Sequence, residues 1–253
     1  MTNPKDKDRD ILSNEEIDAM FEKADEQKTE FFRLRAKCLV SLAKKFGKRR
    51  IEMARLARKD IERVDDDLEF TFTLAKKRKK GFFQYLKFLE KQVKKGAVDS
   101  NVLSKSLPEL QTAWKEWQLT TEGQKVKNET SLQSISTEDK YARHIMEYLG
   151  FLDRHYPTAK FLFPSGVCFF GGIYIIDENE HLSGSQLLRI IKPLNPSAWL
   201  HLFRETLGGT IAKAHGRNLD SIYEVKDSLD LEREETAYRY VRRYAAKKQP
   251  IET

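Results

Sequence analysis

The chain has 253 residues, 40% of them hydrophobic and 34% charged, and its 46 Lys and Arg against 39 Asp and Glu leave a net charge of +7. That length allows one large domain or two small ones around a substantial core, and the positive excess favours an anionic partner, nucleic acid or a membrane surface, without choosing between them. No apolar run is long enough to span a bilayer, the segment Met1 to Asp10 is too polar for a secretory signal, and two cysteines with five scattered histidines and no CxxC exclude a disulfide framework and a zinc finger. Cys38 and Cys168 therefore read as buried thiols of an intracellular protein, cytoplasmic or nucleoid-associated if the host is prokaryotic.

In chain order, Ser13-Asn14-Glu15-Glu16 gives a helix start, with Ile17, Met20, Phe21 and Ala24 as its apolar face. A second helix is predicted from about Thr29 to Phe46, ended by Gly47, and a third from Arg50 to about Ala57. The period then changes. Leu68, Phe70, Phe72 and Leu74 alternate with polar residues as in a half-buried strand, which runs into a basic turn, Lys76-Lys77-Arg78-Lys79-Lys80-Gly81. Helical spacing returns from Phe82 to Val93, and Lys94 to Asn128 is polar, of mixed pattern, and reads as an inserted or mobile segment. Tyr141 to Leu152 is another amphipathic helix, Gly172 to Ile176 a short strand, and Ser183 caps a helix that Pro193 ends. Asn195-Pro196-Ser197 opens a helix holding Trp199 to Leu207, where Gly208-Gly209 is expected to break or kink it, and a last helix runs from about Arg233 to Lys248. The reading is mainly α with a small antiparallel β-sheet, in one domain.

Taken singly, none of the chemical candidates carries a function. Arg49 is one more arginine at a helix start. His201 and Arg204 share a helical face, as many such pairs do by chance. Tyr238, Tyr240 and Tyr244 on one helix form a packing stripe more often than a nucleophile.

Their order along the chain is another matter. Leu12-Ser13-Asn14-Glu15-Glu16-Ile17 is similar to the opening helix of the catalytic domain of tyrosine recombinases of the phage-integrase type. Gly47-x-Arg49-x-x-Glu52, followed by Asp60-Ile61 and a strand, resembles that family's first arginine box. The strand ending at Lys76-Lys77 resembles the hairpin that carries its lysine, and Phe161-Leu162-Phe163-Pro164-Ser165 the turn before its second box. His201-Leu202-Phe203-Arg204-Glu205-Thr206 is similar to the His-x-x-Arg box, and Glu235-Thr236-Ala237-Tyr238-Arg239-Tyr240 resembles the tyrosine box. The match covers about Leu12 to Tyr244 in one consistent order, which makes it specific in combination.

The resemblance implies the α+β fold of that catalytic domain over residues 12–248, between a polar tail at 1–11 and a short tail at 249–253, with an insertion at about 82–123. It implies a site-specific recombinase or integrase that breaks and rejoins double-stranded DNA through a 3′-phosphotyrosine, in a tetrameric synapse and without metal or other cofactor. Arg49 and Arg204 would hold the phosphate, Lys76 would protonate the leaving oxygen, His201 would orient or protonate near the phosphate, and Tyr240 would attack, with Tyr238 second. Lys77, Lys125 and Lys127 compete for the lysine role, and Arg50, Lys77, Arg78, Lys79 and Lys80 would contact DNA. The family often has a further histidine shortly before its tyrosine. Counting to that place gives Leu231 or Ser228, neither an imidazole, with Lys226 near enough to supply a cation. The run Phe70 to Lys79 and the missing histidine resemble archaeal and archaeal-virus members most. Family members also carry an N-terminal DNA-binding domain, so a match beginning at Leu12 reads as either a fragment or a short member.

Two other classes fit part of this pattern. A DNA-binding protein with the same fold and no reaction would show the same charge, and a type IB topoisomerase would share the transition state and the tyrosine. Arg49, His201, Arg204 and Tyr240, a set that binding alone has no reason to place together, speak against the first, and the compact chain with its His-x-x-Arg form against the second. RNA binding rests only on charge and aromatics, and no strongly amphipathic basic helix supports a membrane-surface role.

Overall fold

The computed structural model describes residues 11–75, 78–117, 120, 130–170 and 173–245. They divide into two compact units, Met1–Phe72 with Leu132–Thr253, and Thr73–Ser131. Both are helical, with small antiparallel sheets in the first, in agreement with the expected class.

The larger unit is built around two long helices. Helix α1 (Asn14–Asp25) starts on a capping box in which the Ser13 hydroxyl accepts from the Glu16 amide and the Glu16 carboxylate accepts from the Ser13 amide. Helix α2 (Glu30–Phe46) is buried along most of its circumference, the signature of a helix inside the core rather than on it. Gly47 ends it at φ +50°, where only glycine is at ease, and turns the chain into the short helix α3 (Arg50–Ala54). Strands β1 (Ile61–Val64) and β2 (Asp67–Thr73) follow as a hairpin in which Ile61 faces Phe70 and Val64 faces Asp67, with Asp65 at φ +51° in the turn. Leu68, Phe70 and Phe72 of β2 are buried in alternation, and Phe46 packs against both phenylalanines with its ring tilted to theirs.

In the smaller unit, α4 (Arg78–Lys94) and α5 (Leu107–Trp117) close a core of their own from Tyr85, Leu89, Leu110 and Trp117, with Phe82 edge-on to Trp114. Helix α5 adds a regular element to a stretch that reads as polar and of mixed pattern. Leu110, Ala113, Trp114 and Trp117 recur at helical spacing, and Pro108 sits in the first turn, where its missing N–H costs nothing.

The chain returns through β3 (Thr130–Ser136), third in the order β1-β2-β3, to α6 (Lys140–His155), which lies along α2. A bulged hairpin of β4 (Pro164–Phe170) and β5 (Ile173–His181) leads to α7 (Gly184–Ile191), capped by Ser183 and Gln186. The last three helices, α8 (Leu200–His215), α9 (Leu219–Ser228) and α10 (Glu234–Tyr244), pack on one another around Ala212, Val225, Leu229, Ala237 and Val241. Two expectations are corrected here. Helix α8 begins at Leu200 and runs unbroken through Gly208-Gly209, and α9 is a regular helix where none was predicted. Cys38 is a buried free thiol, while the side chain of Cys168 lies outside the described residues.

Candidate active site

The αL turn at Gly47 delivers Lys48, Arg49 and Arg50 to the place where α8 passes. A Cβ on Gly47 would lie 3.2 Å from the Cα of Arg204, so the two segments meet almost backbone to backbone. Arg204 is 3% exposed. Its Nη1 donates to the Gly47 carbonyl at 2.9 Å, and its Nη2 donates to the carbonyl of Leu229, in the turn between α9 and α10. Arg49 is half-buried and held from below by Glu52, whose carboxylate accepts from the Arg49 Nη1 at 2.7 Å and from its backbone amide at 2.8 Å. Burial and then the neighbouring Arg49 push the Arg204 pKa down, and Tyr240, Glu52 and Asp230 oppose them. A guanidinium starts far enough above neutrality to stay charged. Two buried-edge cations side by side are an arrangement an incoming anion relieves.

Tyr240 completes the cluster from α10. Burial raises the pKa of its phenol, while the nearby Arg204 guanidinium pulls the other way. The ring comes this close because α8 carries no side chain beneath it: a Cβ on Gly208 would lie 2.7 Å from the Tyr240 Cδ1. The double glycine is thus a seat for α10 and not a kink. Tyr244 occupies the next seat, over Gly209, as a packing residue. Tyr238 is 51% exposed, on another side of the helix.

Arg49, Arg50, His201 and Arg204 line one pocket of about 500 Å³ together with Lys48, Trp199 and Leu188, and no carboxylate lines it. His201 is exposed, one turn before Arg204, with its Nε2 3.5 Å from Glu205. Lys226 pairs with Glu234 at 3.0 Å and does not line the pocket. Lys76, Lys77, Lys125 and Lys127 lie outside the described residues, and Arg78, Lys79 and Lys80 are described only as the start of α4. No group of three or more metal-ligating side chains that could hold a metal ion, and no helix long and apolar enough to cross a membrane, occurs among the described residues.

Lys48 escaped the sequence reading. Its ammonium is fully buried and paired with Asp230, which adopts φ +46° one residue after Leu229. Burial lowers the Lys48 pKa, and Asp230 and Glu52 counter it. Glu52 and Gly208 were also missed as supports of the site. Glu52 was visible in the arginine box, whereas nothing local marks Gly208 as the seat of a tyrosine.

No protein-family model and no curated protein matches the sequence. Among solved structures, the chain is similar to the XerH site-specific recombinase bound to palindromic difH substrate in a post-cleavage complex, with TM-score 0.56 and 14% identity over 96% of this chain and 52% of that one. The pre-cleavage complex of XerH with difH gives TM-score 0.50 and 12% identity over 91% of this chain and 49% of that one. XerA recombinase gives TM-score 0.51 and 13% identity over 95% and 61%. The fold is that of the tyrosine-recombinase catalytic domain, and the chain spans about half to three fifths of the length of these recombinases.

Proposed function

We propose that the chain is a DNA strand transferase of the tyrosine-recombinase type, acting through a covalent 3′-phosphotyrosine. The observation that carries this reading is the Tyr240 phenol placed within electrostatic reach of buried Arg204, with Arg49 beside that arginine in a pocket free of carboxylates. A binding surface has no need of a half-buried phenol against a buried guanidinium.

In the reaction, the Tyr240 oxygen attacks a DNA phosphorus, its proton passes to water, and the bond to the 5′ oxygen breaks. Arg49 and Arg204 hold the nonbridging oxygens as negative charge gathers in the transition state, which is where fixed cations accelerate phosphoryl transfer. His201, at the pocket wall, handles a proton near the phosphate, and Lys76 donates one to the leaving oxygen. Attack by the freed or a second 5′ hydroxyl reverses the sequence and rejoins the strand. Arg50 and the basic run from Lys77 to Lys80 would add duplex affinity that falls steeply with salt, and a tetrameric synapse would pair the strands to be exchanged. XerH is described bound to its DNA substrate, and the shared fold supports the same class of partner here.

The test uses a pool of random-sequence nicked suicide duplexes, scored for a protein–DNA adduct that survives SDS. Wild type and Tyr238→Phe form it, and Tyr240→Phe does not while still binding duplex DNA. A nucleotide mapped to Tyr238, or an adduct surviving Tyr240→Phe, overturns the assignment, and a wild type that binds DNA without any adduct favours the non-catalytic reading.

A further inference from the structure

Helix α2 holds another arginine whose charge no carboxylate answers among the described residues. Arg35 is only 9% exposed, and its guanidinium carbon sits 4.9 Å from the Phe31 ring centroid and 4.8 Å from that of Phe32. Enclosing a cation this way costs several kcal/mol unless hydrogen bonds or a counterion compensate. Two aromatic rings return about 2 kcal/mol or more, but they supply neither a countercharge nor a partner for the N–H groups in the ring plane. Yet the Arg35 Nε is buried with no hydrogen-bond partner, and no carboxylate pairs with the group among the described residues. Its electrostatic neighbours are the phenols of Tyr148 and Tyr174, and the Tyr148 hydroxyl is itself buried without a partner. Buried polar groups left open in this way call for a ligand or a bound water.

The guanidinium is not sealed off. Arg35 lines a pocket of about 320 Å³ between the start of α2 and α7, at the small end of ligand sites. Phe32, Leu182, Ile190 and Pro193 give it apolar walls, Arg189 is a second cation, and no acidic side chain lines it. Gln186 lines it too, but its side-chain oxygen already accepts from the Ser183 amide at 2.7 Å.

We propose that this pocket binds a carboxylate joined to a short apolar group, the carboxylate on the Arg35 guanidinium and the apolar part against Phe32, Ile190 and Pro193. A planar carboxylate matches the guanidinium fork and supplies one charge for one charge. A duplex phosphate, flanked by sugars on a stiff backbone, cannot descend to a group so nearly covered. An acidic residue or chain end of a protein segment and a small organic acid share the required chemistry. The inference is independent of the strand-transfer reading, because none of the strand-transfer residues lines this pocket.

The test is NMR of the full chain with isotope-labelled arginine, following the Arg35 Nε–H and the α7 amides. The probes are acetyl-Leu-Asp-amide, its neutral twin acetyl-Leu-Asn-amide, isocaproate and inorganic phosphate. At least one carboxylate should shift these signals saturably, and the Asn peptide should bind about tenfold more weakly or worse, the loss of one charge-assisted pair. Arg35→Met should abolish the response without lowering the melting temperature, and Arg35→Lys serves if the Met variant does not fold. Tighter binding of the dipeptide than of isocaproate identifies a protein segment as the source, and equal binding a small acid. The proposal fails if no carboxylate shifts the signals, if the Asn peptide binds equally, if only phosphate saturates the site, or if binding persists in Arg35→Met.

Discussion

Replacing Gly208 by alanine adds one methyl group to the middle of α8 and sets two effects against each other. Alanine is favoured over glycine inside a helix by about 1 kcal/mol, so on local grounds the variant is more stable. The new Cβ, however, would lie 2.7 Å from the Tyr240 Cδ1 and 3.0 Å from both the Tyr240 Cε1 and the Leu229 Cδ1. Carbon atoms rest about 3.5–4.0 Å apart, so the ring must retreat by nearly ~1 Å. Overpacking of this kind costs about 1–3 kcal/mol, which leaves a net loss of no more than about 2 kcal/mol and a fall in melting temperature of no more than about 8 °C. The site suffers more than the fold. A displacement near ~1 Å of a reacting group costs on the order of 10² in rate, so single-turnover adduct formation should drop about a hundredfold while duplex binding holds. Gly209→Ala crowds Tyr244, at 3.1 Å from its Cγ, and should slow the reaction less. Adduct formation by Gly208→Ala at the wild-type rate, or an equal loss in both variants, would refute the view that Gly208 sets the position of Tyr240.

Three further outcomes follow from the geometry. Asp230→Asn keeps a residue that tolerates the left-handed backbone but strands the buried Lys48 ammonium, so chemical denaturation should show a loss of about 3–5 kcal/mol, and Lys48→Met, which leaves only the more accessible Asp230, a smaller one. Arg58→Met removes a guanidinium that donates to the carbonyls of Tyr156, Pro157 and Ala159 beyond the end of α6, and calorimetry should find a loss of about 2 kcal/mol, or about 4–8 °C. Burial holds the Tyr240 pKa above its ordinary value near 10, so the phenol stays protonated through the neutral range and its phenolate, when it forms, weakens the fold. Ultraviolet difference titration of wild type against Tyr240→Phe should accordingly show no phenolate from this residue below about pH 10, and an earlier one would contradict the buried geometry.

Much of the fold was legible because its elements announce themselves locally. Ser13 with Glu16 and Ser183 with Gln186 are complete caps in the sequence, Gly47 ends α2 where the apolar period stops, and the alternation from Leu68 to Phe72 is the burial pattern of β2. What was missed has weak local contrast. Helix α9 carries Ile222 and Val225, with Leu229 following at its C-cap in the same spacing, but exposed Leu219 and Tyr223 on its other faces blur the stripe. The first strand of the hairpin from Pro164 and the third strand of the sheet lack an unbroken alternation of their own, and their partners define them. Gly208-Gly209 was read for what glycine does to a helix in isolation, a weakening, whereas tertiary packing of α10 on α8 reverses its meaning.

The candidate site was legible as a list and illegible as a structure. Arg49, His201, Arg204 and Tyr240 stand out by their order, but the contacts that fix them join residues far apart in sequence. Lys48 is the clearest case: a lysine in a basic run reads as solvated, and only the fold reveals it as a buried cation bonded to Asp230. That contact also bears on Leu231, which stands where a histidine was sought. Leu231 is partly buried against the cluster formed by α8, α9 and α10, an apolar role that leaves the turn before α10 without an imidazole. The turn is instead held by two cations on consecutive residues, Arg204 on the Leu229 carbonyl and Lys48 on the Asp230 carboxylate. One comes from each arginine-bearing segment, and the turn they grip leads straight into the helix that carries Tyr240. Fixing that turn fixes the phenol relative to both guanidiniums; under the proposed strand-transfer reading, the pair would supply by anchoring what a histidine there would supply by direct contact, and the pocket would keep its positive charge.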